Sequence, residues 1–160
     1  MHKTKSKAIH FSGLRLSLAL VLGLLLVPAY VVAPVLFSEL ASMQAGLIAG
    51  KVFHISNLAI LILLVSAVLF SYRIQVKKST WYLLGLVILM VAINTFGVTN
   101  MMGMIKAEAG DVSALDHDDP LRWAFAFWHG IGSILQLITS LVVVVLVMRN
   151  HCSHMKEAEV

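Results

Sequence analysis

Charge is scarce in this chain: Asp, Glu, Lys and Arg together make up 12% of its 160 residues. A soluble domain of that length carries about 25%, so the composition excludes a water-covered globule. There is one cysteine, Cys152, which excludes an intramolecular disulfide. Proline occurs only three times, leaving long stretches free to be helical. The sequence has no HExxH, P-loop, GxGxxG or Ser-His-Asp arrangement, so hydrolytic and nucleotide-driven chemistry have no support. It also lacks CxxCH, which excludes covalent haem attachment. The net charge of +4 does not mark a nucleic-acid binder, because the cations sit at the ends of apolar segments. No nucleic-acid partner is expected.

What the chain has in abundance is apolar sequence, 59% of it. Four runs are long enough to cross about 30 Å of hydrocarbon. They cover Leu14 to Phe37, Ala45 or Val52 to Ser71, Trp81 to Ile105, and Trp123 to Met148. None alternates with period two, so each reads as helix rather than strand. The expected class is all-α, a polytopic membrane protein built as an antiparallel four-transmembrane-helix bundle. Residues 1–13 and 149–160 are its polar tails and 14–148 its membrane domain, with the lipid bilayer as the first partner.

Basic residues set the expected topology. Lys3, Lys5, Lys7, Arg15, Arg73, Lys77, Lys78, Arg149 and Lys156 fall on one side, against Lys51, Lys106 and Arg122 on the other. The positive-inside rule then puts both termini in the cytoplasm. The connection carrying Glu108, Asp111, Asp116, Asp118 and Asp119 lies outside an inner (cytoplasmic) membrane. The first span reads as an uncleaved helix rather than a signal peptide, since Pro34 follows the candidate cleavage site. Pro28 and Pro34 each lack a backbone donor, so this helix should kink, or end near Pro34.

Polar residues inside the spans carry what functional signal there is. Arg122, His129, Ser133, Gln136 and Ser140 share an arc of roughly 60° on the fourth span at about 100° per residue. Hydrocarbon offers no partner for imidazole or amide, so this stripe is expected to face inward. On the second span Gly46, Gly50, His54 and Asn57 share about 80°, and the Gly46/Gly50 pair suits close helix approach. On the third, Met90, Asn94, Gly97, Met101 and Met104 follow a 4-3-4-3 seam.

Two readings follow. In one, the polar positions (Gly46, Gly50, Asn57, Asn94, Asn100, Ser133 and Gln136) join helices, and the protein is structural or accessory, assembling with itself or with other membrane proteins. In the other, His54, His129 and Asn100 meet in the outer half of the bundle. There His54 and His129, with Met101 as a soft donor, hold a transition metal, or haem with Arg122 and Lys51 facing its propionates. His151, Cys152 and His154 read as a solvated tail, and His117 as part of a solvated acidic loop.

The stretches Ala33-Pro34-Val35-Leu36-Phe37, Ala45-Gly46-Leu47-Ile48-Ala49-Gly50-Lys51-Val52-Phe53 and Phe125-Ala126-Phe127-Trp128-His129-Gly130-Ile131-Gly132-Ser133 resemble a recurring bacterial pattern. Together they are similar to the uncharacterised four-helix membrane family that includes transmembrane protein 205 (domain of unknown function 4149), in a layout like that of copper-resistance-D-like proteins. The resemblance implies the four-helix fold and singles out His129, Pro34, Phe37, Gly46 and Gly50. Copper-linked relatives tend to carry more intramembrane histidines, and the first span here has none, since His10 precedes it. The nearest family has no established reaction, so the resemblance implies the fold far more than the function.

Overall fold

A computed structural model describes the backbone of residues 2–158 and the side chains of residues 7–149. The His151, Cys152 and His154 cluster lies outside the described side chains. Helix α1 (His2–Val27) passes through a π-helical turn (Pro28–Val32) into α2 (Ala33–Glu39). Helix α3 (Ser42–Ile74) follows, then α4 (Lys78–Ala92), a second π-helical turn (Ile93–Val98) and α5 (Thr99–Ala109). A short 3-10 turn (Val112–Ala114) leads to α6 (Pro120–Ala158). Four spans of 30 to 33 residues are long and apolar enough to cross a membrane: Lys7–Glu39, Ser42–Ile74, Lys78–Ala109 and Pro120–Arg149. At 1.5 Å per residue each is about 45–50 Å long, so its ends overhang the hydrocarbon.

The fold is an all-α membrane bundle. Helix α1 packs most extensively along α3 and also along α6, while α4 and α5 pack on α6, and α4 touches α3. The spans therefore form a ring in which α3 and α6 are diagonal. Neighbours run antiparallel. Gly13 of α1 lies under the Phe70 ring near the far end of α3. Along the third and fourth spans, Arg149 bonds Ser79, Asn94 bonds Gln136, and Lys106 lies over Phe125. The main apolar core joins Leu14, Leu18, Ile60, Leu64, Leu84, Val87, Val143 and Leu146, in the half nearer the basic end.

Local chemistry explains the ends. Asp119 accepts the Leu121 N–H at 2.8 Å and Pro120 begins α6, an acidic N-cap with proline at the first helical position. Helix α3 stops at Gln75, which takes a left-handed conformation with φ 52°. The Gln75 N–H bonds Tyr72 O at 3.4 Å and the Val76 N–H bonds Ser71 O at 3.3 Å, a Schellman closure.

Three sequence expectations about helix faces and ends need correction. Of the two outcomes expected at the prolines, a kink or an end near Pro34, the end is not seen, since the helix continues to Glu39. A π-helical turn, in which the Ala33 N–H reaches back to Pro28 O, carries the helix between the two prolines. On α3 the buried stripe is Ala45, Ala49, Ser56, Asn57, Ile60, Leu64, Ala67 and Ser71. It lies mainly one residue away from the glycine arc: Gly46 is half-buried, and Gly50 and His54 are exposed. Alanine and serine are small enough for the close approach the glycines suggested.

On the third span the seam begins at Met90 as expected. It then moves from Asn94, Gly97, Met101 and Met104 to Thr95, Val98, Met102 and Ile105, of which Thr95, Val98 and Ile105 are buried and Met102 half-buried. The turn Ile93–Val98 is the cause: a π-helical turn inserts one residue, and every later position rotates by one. Gly97 and Met104 are left exposed, and Met101 half-buried.

Candidate functional site

The two π-helical turns flank the most connected polar group in the bundle. Gln136, buried on α6, donates through Nε2 to the carbonyl of Leu25 on α1 at 2.9 Å. Its Oε1 accepts from Asn94 Nδ2 on the third span at 3.4 Å. Leu25 lies just before the proline turn, where a proline crowds the backbone carbonyls behind it. Asn94 lies within the second π-helical turn, and its own carbonyl accepts both the backbone N–H and the hydroxyl of Thr99, the latter at 2.9 Å. One side chain thus joins three of the four spans.

Gly132 permits this approach. A Cβ there would meet Val98 Cγ1 at 3.1 Å and Asn94 Oδ1 at 3.4 Å, tighter than ordinary contact. The other described hydroxyls of α6 bond inside their own helix: Ser140 to Gln136 O at 2.8 Å, Thr139 to Leu135 O at 2.6 Å and Ser133 to His129 O at 2.9 Å. The group consists of amides and hydroxyls, which exchange hydrogen bonds but do not transfer protons near neutral pH. Its chemistry is that of a joint.

The outer-half cluster expected from the sequence is not assembled. His54 and His129 are both exposed and stand on diagonal helices. Beyond the proline turn, α2 packs along α3. The face of α6 above Gln136 thereby loses cover, which leaves His129 and Ser133 exposed. Asn100 is exposed and donates to Phe96 O on its own helix at 2.8 Å. Lys51 is exposed. Arg122 donates to Leu115 O at 2.8 Å, where it pins the acidic connection. Met101 is half-buried on α5 and Asn57 is buried on α3. The two histidines are thus exposed positions on spans that do not pack extensively on each other. Among the described residues no three of His, Cys, Asp and Glu form a group able to hold a metal ion.

His129 instead belongs to a different contact chain. Its ring stacks on Phe125 with centroids 6.0 Å apart and planes at 13°. Lys106 Nζ lies 5.3 Å from the Phe125 centroid and donates to Gly46 O on α3 at 3.4 Å. A Cβ on Gly46 would lie 3.8 Å from that ammonium, so the glycine is where the lysine crosses. In the sequence Lys106 speaks only to topology. The spacing of four between Phe125 and His129 was a readable sign of their contact, whereas nothing local links Lys106 to Gly46. Nor could the sequence point to the Leu25 carbonyl, because every residue carries one.

The profile of the family "Domain of unknown function (DUF4149)" matches residues 16–111. That stretch holds most of the first three spans, with Leu25, Gly46 and Asn94; α6, with His129 and Gln136, lies beyond it. No curated protein matches the chain. No solved structure matches it either. The matched residues make up more than half of the sequence, and this chain, with four helices long and apolar enough to cross a membrane, belongs to the DUF4149 family, a domain of unknown function.

Proposed function

We propose that this is a structural or accessory protein of the inner membrane, with both termini in the cytoplasm. The observation that carries the reading is the Gln136 joint, whose hydrogen bonds run to other spans of the same chain. Interhelical hydrogen bonds in membranes contribute about 0.6 kcal/mol each on average, so a polar seam has a sufficient structural purpose. Polar and small groups also remain on the outside of the bundle, at Gly50, His54, His129 and Ser133. Hydrocarbon cannot satisfy an imidazole there, which supports assembly with a second copy or another membrane protein.

Purified full-length protein should be colourless and free of stoichiometric metal. His54→Gln and His129→Gln should each change stability by no more than about 0.5 kcal/mol, as surface substitutions do. A Soret band or bound metal that disappears in His129→Gln would replace this reading with a ligand-binding one.

The orientation has its own check. In a Cys152→Ser background, Ser113→Cys should react with an impermeant thiol reagent from outside intact cells, and Lys77→Cys only after lysis. Both positions are exposed. The reverse pattern would invert the topology drawn from the basic residues.

A further inference from the structure

We propose that the cleft between the end of α3 and the start of α4 is a phosphate-binding site. The cleft holds about 460 Å³ and is lined chiefly by Ser71, Tyr72, Arg73, Gln75, Lys78 and Trp81. That volume falls within the range of small-molecule sites. Two cations stand in its wall and none of its lining residues is acidic. Lys77 adjoins it, and Arg149 of α6 reaches Ser79 Oγ at 2.6 Å, adding positive charge around it.

The backbone reinforces the sign. Helix α4, 15 residues long, starts here with no side-chain cap on its N-terminus, and free N–H groups at a helix start favour an anion. The opposing end of α3 would repel one, although the Schellman bonds from Gln75 and Val76 engage two of its carbonyls, those of Tyr72 and Ser71.

Ser71 supplies an independent sign. It is 0% exposed, forms part of the cleft wall, and its hydroxyl has no hydrogen-bond partner. A buried hydroxyl without a partner is costly, and a phosphate seated on the cleft wall would satisfy it once a χ1 turn of Ser71 brings the hydroxyl to the surface. Arg73 and Lys78 would then neutralise the phosphate by charge-assisted hydrogen bonds. The depth also suits such a ligand. Tyr72 and Tyr82 are exposed beside the half-buried Trp81, the aromatic pattern of the headgroup layer. The phosphate can come from an anionic lipid headgroup or from solution, and the two sources separate experimentally.

Trp123→Phe and Trp128→Phe together leave Trp81 as the reporter, since the chain has three tryptophans. The full-length protein is held in maltoside micelles, which carry no phosphate. One arm adds inorganic phosphate; the other adds phosphatidylglycerol as mixed micelles. Saturable change in Trp81 fluorescence is expected in at least one arm. Saturation with phosphatidylglycerol alone assigns a lipid headgroup, with inorganic phosphate alone a free anion, and with both a general phosphate site.

Arg73→Gln and Lys78→Gln should each weaken binding about tenfold, and Ser71→Ala about threefold. Lys77→Gln, an equal loss of charge outside the cleft wall, should change it less than about twofold. Arg73, Lys77 and Lys78 are exposed, so their variants should keep wild-type helicity and melting temperature in phosphate-free micelles, and Ser71→Ala, which removes an unsatisfied buried group, should melt no lower than wild type. No saturable response in either arm would overturn the proposal. So would equal losses in Lys77→Gln and Lys78→Gln, which would mean diffuse attraction rather than a site.

Discussion

Gln136→Ala is expected to lower the unfolding free energy of the bundle by about 2 kcal/mol. Two interhelical hydrogen bonds at about 0.6 kcal/mol each account for roughly half of this. The cavity left by the truncated side chain supplies the rest. Gln136→Leu, which keeps most of the volume, should cost about 1 kcal/mol, because the Asn94 amide loses its partner at 3.4 Å. Combining Gln136→Ala with Asn94→Ala should yield less than the sum of the single effects, with a coupling of about 0.6 kcal/mol. Unfolding in bicelles measures all four. If Gln136→Leu were as stable as wild type and the cycle additive, Gln136 would not be the joint described here.

A larger loss, about 2–3 kcal/mol, is expected for Leu64→Ala. Leu64 is 1% exposed and central to the core shared by α1, α3, α4 and α6. Between lipid and a membrane-protein core the hydrophobic difference is small, so the cost lies in lost packing contacts and the void. Leu69, five residues further along the same helix, is 62% exposed. Its replacement by alanine should change stability by no more than about 0.5 kcal/mol. The pair separates core-facing from lipid-facing positions on a helix whose composition is apolar all round. Equal effects at the two positions would contradict the helix orientation found for α3.

The histidines show how far a polar residue can be read. His129 shares a face with Gln136, only about 20° apart at 100° per residue. Whether that face is covered at the height of His129 depends on a neighbour, and α2 packs on α3 instead. His54 shared an arc with Asn57, yet Asn57 is buried and His54 exposed, because the inward direction of α3 falls nearer Ala45 and Ala49. Gln136 and Asn94 were legible as seam residues, since an amide in hydrocarbon needs a partner. Their pairing with one another, and with Leu25, was not.

Sequence alone determined the number of spans, their helical character and their antiparallel order, because length, apolarity and short connections leave no other economical arrangement. Tertiary structure decided the phase of each helix. In water an amphipathic stripe reveals the buried face. In lipid both faces are apolar, and small differences in packing choose between Ala45/Ala49 and Gly46/Gly50. It also decided where the helical register slips. The turns Pro28–Val32 and Ile93–Val98 each depend on a balance between backbone hydrogen bonds and packing of neighbouring spans. Only one of them is marked by proline, so the seam after Asn94 could be traced only once the helices were packed.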